Sequence, residues 1–289
     1  MATWKRACPA VVLRMRDLSA LRASYDSRAS VAVRFSEWLA DQIHEVIASN
    51  NLSLAVPIDT RVKTWQSFYE KIERKNIEIS DAAQLGDLVG VRIILLFKRD
   101  LEQVIKLLST ILTIRSSEDA QERLGVEMFG YQSVHLQAEM RESWGQVPTL
   151  KAFVGLQAEI QIRTAAQHIW AAASHKLQYK MESSVPKQVL RSINRVAALL
   201  ETVDSEFERA LLDRESYVEN ASHSLRAGND ELVNEPLNVD IFKKILDQEL
   251  PPANRTDNES YDEALEQVRE IGIQTPRELA EFIRNNIEQ

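Results

Sequence analysis

VGVRIILLF, residues 89–97, is a nearly continuous apolar run broken only by Gly90 and Arg92. Its length and content are the pattern of a strand covered on both faces. Directly after it, residues 100–112 repeat Leu101, Val104, Ile105, Leu108 and Leu112 at helical spacing. The same alternation surrounds this pair. Residues 28–50 place Val31, Phe35, Leu39, Ile43 and Ile47 four apart, which is one face of a helix. A short strand around Pro57 leads to Arg61, and residues 64–75 read as helix. Tyr131–Met140 and Phe153–Ile162 read as strands, and 164–182 as another helix. Strands alternating with helices, without a glycine-rich dinucleotide loop, predict an α/β (α+β) domain that handles nucleotides.

The expected organisation is an N-terminal helical segment (1–54), the α/β domain (55–185), a long helix (186–221), and a linker with a small helical module (222–289). On the long helix, Val189, Ile193, Val196, Leu200, Val203 and Phe207 recur at alternating four and three residues, a heptad-like seam. It serves either packing onto the α/β domain or self-association, so homo-oligomers through the helical regions are a possible outcome. Ser222–Pro236 is polar and reads as linker. Thr275, Pro276 and Glu278 make a helix start, with Thr275 as cap and Glu278 closing a capping box.

Composition removes several function classes. Lys and Arg number 35 against 43 Asp and Glu, giving −8. A negative protein binds nucleotides through a few aimed cations, but it is a poor generic partner for long nucleic acid. Cys8 is the only cysteine, so no intramolecular disulfide or cysteine-based metal site is expected. The N-terminal apolar stretch is interrupted by Arg14 and Arg16 and forms neither a signal peptide nor a membrane span. The chain reads as cytoplasmic, with no membrane partner.

Chemistry-bearing residues fall between Arg61 and Lys180. In RVKTWQSFYEK, a helix beginning near Thr64 puts Ser67 and Lys71 on one face and Lys63 at the helix N-terminus, a phosphate cradle. The segment also reads as a surface helix with scattered lysines. In DLVGVRI, Asp87 beside a buried strand needs a cation, a metal or backbone donors. Strict alternation would separate Asp87 from Arg92, so either Asp87 precedes the strand or Gly90 marks a bulge. GYQSVH points Tyr131, Ser133 and His135 to one strand face, suited to stacking a base and holding a sugar or phosphate. EIQIRT points Glu159, Gln161 and Arg163 one way and Ile160 and Ile162 into the core. Asp87 and Glu159 together suit Mg²⁺, which keeps waters and shares carboxylates with substrate phosphates. His168, Trp170 and His175 read as residues that pack the following helix onto the sheet.

In this order, across about residues 55–182, these segments resemble the synthetase domain of the RelA/SpoT family, which makes the alarmones ppGpp and pppGpp. The resemblance implies a nucleotidyltransferase-like mixed sheet flanked by helices. It also implies pyrophosphate transfer from ATP to the 3′-hydroxyl of GDP or GTP. By resemblance, Arg61 and Arg92 would sandwich the adenine and Lys63, Ser67 and Lys71 would hold ATP phosphates. Asp87 would ligate Mg²⁺, and Glu159 would share the metal or act as base on the acceptor hydroxyl. Tyr131 would stack on the acceptor base, His135 would help position it, and Gln161 and Arg163 would support the site.

One departure stands out. Many family members carry a Pro-Lys-x-Asn stretch directly before the GY motif, and its lysine contacts acceptor phosphates. Here Glu127, Met128 and Phe129 occupy that region, with Arg123 as a substitute cation. The expected enzyme is synthetase-only, without a hydrolase domain. Two other readings are a toxin-like relative acting on adenine nucleotides or tRNA 3′ ends, and a silent nucleotide-binding module.

Overall fold

The computed structural model describes residues 9–79, 81–119, 133–177, 186–227, 234–250 and 260–287. It divides into two compact units, residues 1–207 and 208–289. In the first unit the order is α1 (Pro9–Ser49), β1 (Asp59–Val62), α2 (Trp65–Lys75), β2 (Val89–Leu95), α3 (Asp100–Ile111), β3 (Leu112–Asp119), β4 (Val134–Met140), β5 (Gln157–Thr164) and α4 (Ala165–Leu177). Helix α5 (Lys187–Ala227) follows and crosses the division between the units.

The strands form one mixed sheet ordered β1-β2-β5-β4-β3. β2 and β5 are parallel, and the other pairs are antiparallel. One face is apolar because every second residue is: Val89, Val91, Ile93 and Leu95 on β2, Ala158, Ile160 and Ile162 on β5, and Leu136, Ala138 and Met140 on β4. This face shares a core with Phe35, Leu39, Ile43 and Ile47 of α1 and Val104 and Leu108 of α3. Each fully buried residue of this size contributes about 1.5–3 kcal/mol. The four-residue spacing read from the sequence is thus the buried face of α1, which starts well before residue 28.

Several expectations need correction. β2 is covered on both faces only at Ile94 and Leu95, since Gly90 and Arg92 remain half-exposed on the opposite face. The strand at 112–119 was not anticipated, because TIRSSED is polar. It is an edge strand paired only with β4, with a register shift between Ile114 and Ser116, and an edge tolerates polar residues. Trp170 packs on Ile193 and Ala197 of α5 instead of on the sheet. The seam of α5 is split. Ile193 and Leu200 turn inward with Ala197, while Val189, Val196, Val203 and Phe207 are exposed. The reason lies two turns beyond Ala197 on the same helix: Asp204 is buried and accepts a 2.7 Å hydrogen bond from the buried Thr164 hydroxyl, fixing which side of α5 faces inward. Ser222–Ala227, read as linker, continues the helix, with Ser222 buried.

The second unit joins the end of α5 with α6 (Val239–Glu249), α7 (Tyr261–Glu270) and α8 (Pro276–Ile287). Its core gathers Ala221, Leu237, Ile241, Phe242, Ile245, Leu265, Leu279 and Ile283. The expected capping box is formed. Glu278 N–H donates to Thr275 Oγ1 at 3.3 Å, and Thr275 N–H to Glu278 Oε2 at 3.1 Å. Among the described residues, no helix is long and apolar enough to cross a membrane.

Asp81 fastens α1 to the segment that leads into β2. It caps the short helical turn Ala82–Gln84 through the Ala83 N–H at 2.8 Å, and it accepts from Arg28 (2.9 and 3.1 Å) and Ser24 (3.2 Å). The Arg28 hydrogen bonds, aided by the Ala83 N–H, hold the Asp81 carboxyl below its ordinary 3.8. A carboxyl lowered in the folded state adds stability above the unfolded value and loses it as pH falls through the folded one. Asp81→Asn should therefore cost about 0.5–1 kcal/mol at pH 7, given the partial exposure of this pair. Urea melts should show the gap to wild type closing below pH 3.8.

Candidate active site

The polar face of the sheet is assembled by register. Arg61 stands opposite Gly90, and Gly90 opposite Glu159. Glu159 stands opposite Gln137. One row further along lie Asp59, Arg92, Gln161 and His135. Arg163 projects from β5 on the same side, by alternation with Ile160 and Ile162.

Asp87 precedes β2 by two residues, and the pairing of β2 with both neighbours runs through Gly90 without a shift. The first of the two arrangements left open by the sequence is the one formed. Gly90 is needed for another reason: a Cβ there would sit 3.2 Å from Arg61 Nε and 3.3 Å from its Cγ, so the Arg61 side chain lies across the glycine. Gly86 works similarly. A Cβ there would fall 2.7 Å from Gln137 Oε1 and 2.8 Å from Gln157 Oε1, so its absence lets the Asp87 loop settle onto β4 and β5.

Lys63 and Lys71 both donate to Asp87 Oδ2, Lys71 at 2.5 Å. The sequence puts them there by local means. Thr64 caps α2, accepting from the Ser67 N–H at 3.3 Å, which leaves Lys63 just before the helix and Lys71 two turns along. Ser67 is exposed and shares a 3.1 Å hydrogen bond with the cap hydroxyl. Burial alone would push the Asp87 carboxyl up, but the two lysines outweigh it and hold it below its ordinary value. Burial also lowers Lys63, against the pull of Asp87. Asp87 Oδ1 is buried and has no hydrogen-bond partner among the described residues.

Glu159 is half-buried and accepts from His135 Nδ1 at 2.8 Å. This hydrogen bond holds the Glu159 carboxyl below its ordinary value, partly opposed by burial and by nearby Asp87. A carboxylate only accepts, so Nδ1 carries the proton. In the neutral imidazole Nε2 then accepts from the Ser133 hydroxyl, 2.5 Å away.

The other end of the face is basic. Asp59, Arg61, Gly90, Val91, Arg92 and Gln161 line a shallow open pocket. Arg92 donates to Asp59 at 3.0 Å, and Arg163 to Gln161 Oε1 at 2.9 Å. Burial, together with Arg92 and Arg61 nearby, lowers the Arg163 guanidinium to about 10.

Of the residues singled out by sequence, the fold brings Lys63, Lys71 and Asp87 together ahead of β2, sets Arg61 in the row of Gly90 and Glu159, and sets His135 in the row of Arg92 and Gln161, with Arg163 one polar row beyond. Ser67 stands at the rim. Tyr131 and Arg123 lie outside the described residues, as does the side chain of His175. Sequence reasoning missed Asp59, Gln137 and Tyr25. Tyr25 of α1 donates its hydroxyl to the Lys63 carbonyl at 2.8 Å and packs on Trp65 and Phe68. Nothing local marks it, because its partners are about forty residues away in the chain. Asp59 and Gln137 follow only once the registers are known.

The donor set suits Mg²⁺. Asp87 offers a buried, unpartnered carboxylate oxygen, and Glu159 is close enough for the two charges to influence each other. Among the described residues no cluster of three or more His, Cys, Asp or Glu side chains forms a self-sufficient cage. Two carboxylates completed by substrate phosphates and water are the arrangement a hard cation of this size favours.

Comparison with known proteins finds relatives of this part of the chain. The family model described as a region found in RelA/SpoT proteins matches residues 60–184. GTP pyrophosphokinase YwaC of Bacillus subtilis (strain 168) is 32% identical over 148 residues, covering 50% of this chain and 68% of its own. GTP pyrophosphokinase YjbM of the same organism is 28% identical over 146 residues, 50% of this chain and 67% of its own. The crystal structure of small alarmone synthetase 2 from Bacillus subtilis superposes with a TM-score of 0.54 at 27% identity, over 66% of this chain and 98% of that one. Small alarmone synthetase 1 from that organism gives 0.56 at 24% identity, over 66% and 98%. The chain belongs to the RelA/SpoT family. Within it, the chain is like the GTP pyrophosphokinases of the small-synthetase type.

Tyr25→Phe should leave the Lys63 carbonyl without its donor. The expected loss is about 1 kcal/mol of stability, read by chemical denaturation, while Tyr25→Ala costs about 3 kcal/mol or more because packing on Trp65 and Phe68 goes as well.

Proposed function

We propose that the protein transfers pyrophosphate from ATP to the 3′-hydroxyl of GDP or GTP, giving ppGpp or pppGpp. The observation that carries this reading is one sheet face with Asp87, Glu159, Lys63 and Lys71 beside a guanidinium-lined pocket. Small alarmone synthetase 1 from Bacillus subtilis, which shares the fold, has crystal structures bound to its product pppGpp and to AMPCPP.

In this reading the donor adenine lies between Arg61 and Arg92, because planar guanidinium groups stack on a base where an ammonium does so less well. Lys63 and Lys71 transfer their hydrogen bonds from Asp87 to the donor phosphates, which frees both oxygens of Asp87. Asp87 and Glu159 hold Mg²⁺, which when bound neutralises phosphate charge. Glu159, fixed by His135, accepts the proton of the acceptor hydroxyl. The acceptor oxygen bonds to the β-phosphorus of ATP, the bond from that phosphorus to the α–β bridging oxygen breaks, and AMP leaves. Phosphoryl-type transfer of this kind depends on positioning and charge neutralisation more than on covalent catalysis by the protein. The family resemblance assigns the acceptor base to Tyr131.

Incubation of the protein with labelled ATP, Mg²⁺ and GMP, GDP, GTP, ATP or tRNA is the test. A 3′-pyrophosphorylated guanine nucleotide is expected, with Glu159→Gln slower by about a hundredfold or more. Product only on ATP or tRNA would move the protein to the toxin-like reading, which the absent lysine before GYQSVH favours. ATP binding with no product on any acceptor would overturn the reading.

A further inference from the structure

Asp59 is the one acidic side chain that lines the open pocket, together with Arg61, Gly90, Val91, Arg92 and Gln161. It stands on edge strand β1, directly opposite Arg92 and two residues from Arg61, so alternation turns Asp59 and Arg61 to the same face. Its side chain is 60% exposed. The one hydrogen bond it makes among the described residues comes from Arg92 Nη1, at 3.0 Å to Oδ2. An exposed ion pair of this kind adds little to stability. A carboxylate has about four acceptor positions, so this bond leaves most of its capacity to a donor group that enters the pocket.

The order of groups along the chain decides what reaches Asp59. The Lys63 N–H bonds to the Leu88 carbonyl at 2.9 Å, which continues the pairing of β1 with β2 past Val62. Lys63, Arg61 and Asp59 therefore follow one another on an extended segment, about 13 Å from first to last at strand rise. A donor with its phosphates at Lys63 and its base at Arg61 and Arg92 has its ribose between them, and the far edge of the base is directed toward Asp59. In adenine that edge carries an amino group, a hydrogen-bond donor, whereas guanine has a carbonyl oxygen at the same position. A carboxylate only accepts, so it bonds the first and repels the second. Stacking between guanidinium planes does not tell one purine from another, because every base has a π-face. With a guanine nucleotide as acceptor, another group has to keep guanine out of the donor pocket. We propose that Asp59 selects adenine as the donor base, accepting a hydrogen bond from its amino group while Arg92 holds the carboxylate in place. The inference rests on the function proposed above and leaves Arg61 and Arg92 in the role they have there.

Two ligands test this by calorimetry with Mg²⁺ and no acceptor: ATP, and purine riboside 5′-triphosphate, which carries hydrogen in place of the amino group. Wild type should bind ATP about tenfold tighter, the scale of one hydrogen bond to a charged group. Asp59→Ala should bring the two affinities together. Asp59→Asn loses the charge beside Arg92 but keeps a side-chain oxygen that accepts, so it should retain part of the preference. If Asp59 served only as counter-ion to Arg92, its removal would weaken both ligands by the same factor and leave their ratio unchanged. Equal affinities in wild type, or a preference for ATP that survives Asp59→Ala, overturns the proposal. The two readings fail separately. A protein that binds ATP without making product still shows or lacks the preference, and product made beside a preference unchanged in Asp59→Ala removes only the role of Asp59.

Discussion

The parallel pairing of β2 with β5 is the constraint on which the rest of the first unit depends. It places Gly90 beside Glu159 and Arg92 beside Gln161, and so brings two motifs about seventy residues apart onto one surface. Parallel strands need a crossover connection, here through α3, β3 and β4, and α3 covers the apolar face together with α1. With one face committed to that core, strict alternation leaves Arg92, Gln157, Glu159, Gln161 and Arg163 on the other. The site is the complement of the core.

The polar face separates charge along its length. At one end two lysines and a carboxylate satisfy one another, with a single oxygen of Asp87 left over. At the other end three arginines gather with one exposed aspartate. The first end resembles a phosphate and metal site held ready by internal ion pairs that substrate can replace. At the second end Arg92 pairs with Asp59 at 3.0 Å, while burial and the neighbouring Arg92 and Arg61 act on Arg163. Helix α1 reaches both the Lys63 carbonyl and Asp81, so the segments carrying Lys63 and Asp87 are fastened to the same helical face.

Much of this was legible in the sequence. The four-residue spacing of Phe35, Leu39, Ile43 and Ile47 and the alternation in EIQIRT report burial directly, and both hold in the structure. The capping residues Thr64 and Thr275 were legible too, because capping is satisfied within three residues. Edge strand β3 was not, since an edge needs no apolar signature. The inward face of α5 was not either. Two equivalent apolar rows ran along that helix, and a buried bond between Asp204 and Thr164 chose between them.

The sequence by itself determined the periodicities, the caps and the set of chemical groups, since each depends on neighbours within one or two turns of chain. Tertiary structure decided which groups meet: Tyr25 with Lys63, His135 with Glu159, Arg163 with Arg92. These pairings depend on strand order and register, which are fixed only when the apolar faces are buried together. A one-residue slip would leave the composition untouched and turn the polar side chains that the slipped strand contributes into the core.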